Sequence, residues 1–360
     1  MRLLHFETLK PVCPRCRIEQ DLYVPLHLAI VEQEDNENIF DGSLICSNDY
    51  CQTEYPIIDG IPIIVHPIHE YLKINLHQIN ARNNLSLTTE SMLGDASGSG
   101  SAFNNMRYQL SIYAWDHYGD KTEEKIQLSE TFSASYGNAH ACLIAGINLL
   151  NAPITAPILD IGCAVGRSSF ELAQTTGQLT LGIDYNFSAL RLAQSILQKG
   201  KARFPLRHLG VIFDHMEVNT QFSHSDLVDF WACDATALPF TDNTFNFISA
   251  LNVFDIVSAP RVFIQQLKQK LNHKGKVILS TPYDWSSSLA MHQWVGGCNQ
   301  RSVFEGESEV LIKQLLQQQL QESGERLNLI DEIQHHPWHI RLHSRNVSSF
   351  DVHILACEKY

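Results

Sequence analysis

Residues 158–184 read ILDIGCAVGRSSFELAQTTGQLTLGID, and this stretch decides the fold. An apolar run, Pro157 to Ile161, ends in a glycine-containing turn, Gly162-Cys163-Ala164-Val165-Gly166. A helical pattern follows, with Phe170, Leu172 and Ala173 among its apolar positions. A second apolar run, Leu179 to Ile183, ends at Asp184. Strand, tight turn, helix, strand and acid make the first βαβ unit of a nucleotide-binding, doubly wound sheet. Glycines let the backbone approach a ligand closely, and an acid ending the second strand can grip a ribose. The details favour S-adenosylmethionine over NAD. NAD sites read GxGxxG with an apolar residue two before the first glycine, whereas here that residue is Asp160 and the turn reads GxAxG. A positively charged cofactor tolerates an acid there; a pyrophosphate is repelled by it.

Outward from this stretch, the rest of the sheet can be followed. Phe230 to Ala232 reads as a third strand, ending at Asp234-Ala235, and Phe245 to Leu251 as a fourth, ending at Asn252. A helix is expected from about Ala259 to Leu271, then a fifth strand, Lys276 to Ser280, entered through Gly275. After an insertion and a helix near Glu309–Glu322, Leu327 to His343 and Phe350 to Glu358 read as two long strands turned at Arg345-Asn346. Three acids, Asp160, Asp184 and Asp234, thus stand at the carboxyl ends of three successive strands, the edge where doubly wound sheets bind ligands. Taken singly, each of them also suits helix capping.

Upstream, Cys13-Pro-Arg-Cys16 is a CxxC knuckle, and Cys46 and Cys51 form a second pair about thirty residues on. Two close cysteine pairs at this separation can close a tetrahedral thiolate site. A redox CxxC needs no second pair, so structural zinc carries the reading, with no open coordination position. Tyr55 to Val65, YPIIDGIPIIV, reads as a hairpin turning at Asp59-Gly60. Residues 67–91 are mixed and partly helical, and 92–105, MLGDASGSGSAFNN, read as a flexible linker or mobile loop. Tyr108 to Leu150 is helical, with aromatics Tyr108, Tyr113, Trp115, Tyr118, Phe132 and Tyr136; placed before the first strand it can lid the cleft, the alternative being that these aromatics are core.

Composition bounds the function. The chain has 360 residues, 44% apolar and 18% charged, enough for a sizeable core, and a net charge of −13. That charge argues against general attraction to nucleic acid or anionic membrane, and there is no clustered Lys/Arg stripe. No apolar run nears the ~20 residues that span a bilayer. The N-terminus lacks a signal-peptide pattern, and nine cysteines suit a reducing compartment, so a cytoplasmic protein is expected. No protein partner is indicated.

The strand order and terminal hairpin resemble class I S-adenosylmethionine-dependent methyltransferases. That resemblance implies an α/β, doubly wound, mostly parallel seven-stranded sheet, joined here to a small N-terminal zinc ribbon. The boundaries expected are 1–66 for the ribbon, 67–107 for the linker and mixed segment, and 108–360 for the methyltransferase domain. It implies Asp160 near the cofactor's amino-acid end, Asp184 on both ribose hydroxyls and Asp234 with Ala235 on the adenine, while Gly162 and Gly166 keep the turn open. The cysteine pairs and YPIIDGIP resemble the small zinc-ribbon activator proteins of tRNA and protein methyltransferases, implying zinc on Cys13, Cys16, Cys46 and Cys51.

A narrower resemblance is to the methyltransferase domain of ovothiol biosynthesis, which methylates a ring nitrogen of a mercaptohistidine. It rests on Gly162–Ala173, ALNVFDIV at Ala250–Val257, STPYDW at Ser280–Trp285, Trp294-Val-Gly-Gly297, His339–His343 and Tyr113–Gly119. The family's Asp-Arg after the fourth strand stands here as Asp255-Ile256, and the ribbon is additional. The function expected is N-methylation of a small amino-acid-derived or imidazole-like acceptor; the alternative is a tRNA or protein methyltransferase with the ribbon as recognition module. By position, Asn252 and Asp255 leave the fourth strand and Tyr283 and Trp285 the fifth, making these four the expected acceptor residues. His117, Tyr118 and Arg341 are weaker candidates.

Overall fold

Short apolar runs flanked by helices build this chain as they build any α/β sheet: strands buried on both faces, helices covering them. The computed structural model describes residues 1–35, 37–82, 84–122, 135–286, 291–296, 301, 306–318 and 324–360. Phe132, Gly297 and the far end of the expected helix Glu309–Glu322 lie outside these.

The chain opens with two short helices, α1 (Leu3–Leu9) and α2 (Pro14–Gln20), and a meander of β1 (Leu26–Asp35), β2 (Asn38–Cys46), β3 (Glu54–Ile58) and β4 (Ile61–Ile64). The β3–β4 hairpin is the expected one: Ile58 pairs with Ile61, and Asp59 and Gly60 both take positive φ, 54° and 83°. A two-residue turn of that hand matches the strand twist. Helices α3 (Ile68–Ile79), α4 (Leu87–Ser97) and α5 (Ala102–Tyr118) follow, then α6 (Asn138–Asn148).

Strand β5 (Ile158–Ile161), α7 (Arg167–Thr176), β6 (Thr180–Asp184) and α8 (Phe187–Lys199) form the expected βαβ unit. A hairpin, β7 (Lys201–Leu209) and β8 (Ile212–Asn219), stands apart as its own two-stranded sheet. Then come β9 (Val228–Cys233), β10 (Phe245–Leu251), α9 (Pro260–Lys270), β11 (Leu271–Thr281), α10 (Ser308–Gln317), β12 (Leu327–His343) and β13 (Asn346–Lys359).

The main sheet runs β9-β6-β5-β10-β11-β13-β12, five parallel strands closed by two antiparallel ones. The chain moves from β5 outward to β6 and β9, then returns to β10 on the other side of β5. That reversal opens a crevice beyond the carboxyl ends of β5 and β10, which is where a ligand fits. The expected doubly wound sheet is present. Beyond β9 it continues: β4 pairs parallel to β9 through Ile63 with Ala232 and Ile64 with Cys233. The cysteine-bearing meander therefore extends one sheet to 11 strands.

The reading of 92–105 as a flexible loop is corrected. Helices α4 and α5 occupy most of it, each capped by a serine: Ser86 Oγ accepts from Thr89 N and Ser101 Oγ from Asn104 N. The small residues serve close packing. A Cβ on Gly94 would lie 2.3 Å from the Arg107 guanidinium, and Asn104 Nδ2 donates to the carbonyls of Gly94 and Gly98, each at 2.8 Å. Among the described residues no helix is long and apolar enough to cross a membrane.

Candidate functional site

The glycine turn forms because its backbone must reverse between β5 and α7 in little space. Gly162 and Gly166 take φ of 69° and 88°. A Cβ on Gly162 would lie 2.3 Å from Val253 Cγ2, and one on Gly166 2.7 Å from the Phe230 ring. Ala164 also sits in the left-handed region, at φ 47°, where glycine is easier.

Asp184 ends β6 and locks this turn. Its Oδ2 accepts from Ala164 N at 2.8 Å, and its Oδ1 from Asn186 N at 2.8 Å. Each oxygen keeps a lone pair, since a carboxylate offers about four acceptor sites. Burial raises this carboxyl above its ordinary range, against the pull of those backbone N–H groups. Asp234, after β9, accepts from Thr236 N at 2.8 Å and Thr236 Oγ1 at 2.7 Å, both through Oδ1.

These residues line a cleft of about 830 Å³ at the sheet's carboxyl edge. Gly162, Ala164, Asp184, Asp234 and Ala235 form one side, and Asn252 and Asp255 leave β10 into it. Helix α3 contributes Asn75 and Gln78; α5 contributes Gln109, Ile112, Tyr113, Asp116 and His117. The expected lid helix is thus a wall of the cleft, though only one of its aromatics, Tyr113, faces it. Trp115 and Tyr118 are core, the latter donating from its hydroxyl to Val165 O at 2.7 Å.

The cleft's titratable groups are shaped by burial. Asp116 is pushed up to about 7, moderated by the Asn138 side chain and backbone, whose N and Nδ2 it accepts at 3.1 and 3.0 Å. His117 is pushed down to about 3 by burial and the nearby Arg167 charge; its Nδ1 accepts from Arg167 N at 3.3 Å. Asp255 is 2% exposed, raised to about 6 by burial, and its Oδ1 has no hydrogen-bond partner. Asn252 takes φ 54°, with its Oδ1 accepting from Ser280 Oγ at 2.9 Å and its N bonded to Ser280 O.

Three expectations need correction. Asp160 does not line the cleft. It is 1% exposed, and hydroxyls of Ser168, Ser169 and Ser249 donate to it at 2.5, 2.6 and 2.7 Å. Its Oδ2 accepts two of these bonds and its Oδ1 the third, all from within the fold. Tyr283 and Trp285 also turn away, although Pro282 and Asp284 line the cleft. Tyr283 has φ 57°, and its hydroxyl lies 2.7 Å from His353 Nδ1, whose Nε2 meets Glu332 at 3.0 Å. Trp285 Nε1 donates to Ser308 Oγ, and its ring packs edge-on to Phe254. Arg341 is buried over the Trp115 ring, outside the lining residues, with Nη1 unpartnered. Sequence reasoning missed Trp338, Ile340 and Phe350, which the long β12–β13 hairpin brings into the cleft.

Far along the same sheet, the sulfurs of Cys13, Cys16, Cys46 and Cys51 all lie within 4.8 Å of one another. Cys13 and Cys51 are 3.8 Å apart, and Cys16 and Cys46 are 3.6 Å apart. Tetrahedral zinc with ~2.3 Å bonds needs sulfurs ~3.8 Å apart, so the donor set fits. Tyr55 Oη lies 3.2 Å from Cys13 Sγ, and Asn48 Nδ2 3.6 Å from Cys16 Sγ, the outer contacts a thiolate site uses.

Comparison with known proteins adds a family. The profile described as "Methyltransferase domain" matches residues 138–327. The human protein EEF1A lysine methyltransferase 2 is 29% identical over 146 residues, 40% of this chain and 55% of that protein. The chain therefore spans little more than half of that relative. Among solved structures, the MccD protein aligns at 17% identity over 63% of this chain and 100% of its own, with TM-score 0.41. Phosphoethanolamine N-methyltransferase 2 of Haemonchus contortus, in complex with S-adenosyl-L-methionine, aligns at 18% identity over 39% of this chain and 27% of its own, with TM-score 0.30.

Proposed function

This chain belongs to the methyltransferase-domain family and is an S-adenosylmethionine-dependent methyltransferase, and on that premise we propose that it methylates a nitrogen of a small amino-acid-derived or imidazole-like acceptor. The residues fit the cofactor. Gly162 lines the cleft without a side chain, Gly166 lets the turn close against Phe230 behind it, and the two oxygens of Asp184 keep lone pairs for two ribose hydroxyls. Asp234 and Ala235 would border the adenine. Asp160, held by three serine hydroxyls, acts through the turn it anchors. The cofactor, when bound, supplies an electrophilic sulfonium methyl.

The chain's own work is then alignment. Displacement at a methyl group needs the acceptor lone pair in line, so orientation supplies most of the acceleration. Asn252 is fixed at its Oδ1 and N by Ser280, which leaves Nδ2 as a steady donor for the acceptor. Asp255 takes the proton the acceptor nitrogen sheds. The observation that carries this reading is the buried, unpartnered Oδ1 of Asp255 at the cleft. A carboxyl lifted to about 6 is mostly ionised at neutrality yet more basic than an ordinary carboxylate, as a general base requires.

A protein amino group is the second reading, favoured by the lysine methyltransferase among the relatives. One experiment separates them. Isotopically labelled S-adenosylmethionine methyl is offered with small amines and imidazoles, bulk protein and tRNA; label on the small acceptors is expected. Label on protein or tRNA alone overturns the first reading.

On the same reading Cys13, Cys16, Cys46 and Cys51 hold one structural zinc. Residues 1–66 form the metal-holding unit, 67–107 the connection and 108–360 the methyltransferase domain.

A further inference from the structure

The charge of the cleft wall constrains what can enter. Five carboxylates line it, Asp116, Asp184, Asp234, Asp255 and Asp284, and among the described residues no lysine or arginine does. His117 does not offset them, because burial and Arg167 keep it neutral. With Asp184 and Asp234 given to the cofactor, three carboxylates remain for the acceptor. Asp255 is the decisive one: nineteen-twentieths or more buried, with an Oδ1 that has no hydrogen-bond partner. A buried polar atom without a partner is costly unless a ligand completes it.

A second observation comes from the opposite wall. Trp338 and Phe350 face each other across the β12–β13 register, and both line the cleft. Asp116 is tied to that wall: it accepts from Asn138, whose Oδ1 accepts from His339 N at 3.2 Å. Carboxylates and aromatic faces together favour a cation through charge and through the ring quadrupole. They disfavour an anion on both counts.

We propose that the acceptor enters as a small cation, an ammonium or imidazolium group, taken between Asp116, Asp255 and the Trp338–Phe350 wall. The inference rests on the methyltransferase reading and narrows its acceptor. Asp255 Oδ1 removes one proton from the nitrogen. The freed lone pair forms the N–C bond, the C–S bond breaks with its electron pair passing to sulfur, and the proton leaves Asp255 for solvent. Burial supports the first step, since a carboxyl lifted by desolvation ionises when a cation arrives. An acceptor whose recognised end is a carboxylate or phosphate finds no partner on this wall.

The test is calorimetry on the S-adenosylhomocysteine-loaded full chain. The probes are benzylammonium, benzyl alcohol and benzoate, near in shape and different in charge. The cation should bind about tenfold or more tighter than benzoate, with the alcohol between. Asp255→Asn should remove most of that preference and leave S-adenosylhomocysteine affinity unchanged. Asp116→Asn gives a second reading should the first variant melt early. Benzoate binding as well as the cation, or no charge preference, overturns the inference and leaves the cofactor site standing. Failure of S-adenosylhomocysteine to bind overturns the cofactor reading, and the inference with it.

Discussion

The cysteine cluster and the acidic cleft sit on one sheet and treat their polar atoms in opposite ways. Around the cysteines every sulfur has neighbours from within the chain, including Tyr55, Asn48 and Thr53. In the cleft the opposite holds: Asp255 Oδ1 is unpartnered, and Asp184 keeps lone pairs free beside open space. Groups satisfied internally hold a fold together, while groups left wanting at a cavity are where chemistry is done. Asp160 is instructive because it lies in the glycine-turn motif yet behaves like the cysteines, buried and held by three serine hydroxyls.

The contrast can be broken most severely at the cysteines. Structural zinc contributes roughly 10–16 kcal/mol to small metal-folded units. Replacing Cys13 and Cys16 with serine should abolish the metal, from one zinc per chain to none by elemental analysis. Hydrogen exchange over residues 1–66 should rise to near-unfolded rates. A metal-free wild type with unchanged melting temperature would refute the structural role.

Next is Asp255. If it is the base, Asp255→Asn should lower turnover by about 10²–10⁴ with melting temperature held or raised. The sign with pH follows from its carboxyl lying at about 6: the working, ionised form is lost below that pH. Turnover should therefore rise with pH through about 6, with Asp284 the neighbouring charge that lifts it further. The variant's profile should lack that limb. A limb that survives at the same pH assigns it to another group.

Asp184→Ala should weaken S-adenosylmethionine binding by roughly 1.5–3 kcal/mol, the loss of charge-assisted acceptors. It also removes the partner of Ala164 N. Unchanged affinity by calorimetry would move the ribose elsewhere.

The smallest effect is expected at Tyr283, which sharpens the comparison by standing beside the cleft without facing it. Glu332 accepts from His353 Nε2, so Nδ1 is the acceptor and the Tyr283 hydroxyl donates. Tyr283→Phe should cost about 1–2 kcal/mol of stability, since His353 is left buried with an unmet acceptor. Turnover per folded molecule should be unchanged; a large loss would restore Tyr283 to the site.

These cases also mark what could be read beforehand. Strands β5, β6, β9 and β10 were legible because apolar runs end in turn residues and acids, a pattern that local sequence carries. So was the Asp59-Gly60 hairpin. Helix α4 and the start of α5 were not: glycines and serines that suggest a loop here pack under Arg107 and cap helix starts. The direction of Tyr283 depends on a left-handed backbone at that residue, which its own side chain disfavours and the surrounding packing imposes. Trp338 and Phe350 reach the cleft through a hairpin register that only the folded sheet defines. The β7–β8 hairpin did leave a signal, the alternating apolar residues Ala202, Phe204 and Leu206, which the fold buries.

The pairing of β4 with β9 has a consequence for how this chain stays in solution. All six residues of β9 are buried, and without β4 that strand would be the sheet's open margin. An apolar edge with free N–H and C=O groups is a template on which other chains add. Here the covering strand arrives on the same polypeptide, at an effective concentration set by the chain itself and indifferent to dilution. Ile63 and Ile64 of β4, paired with Ala232 and Cys233, thereby occupy the groups on which a second chain would otherwise add.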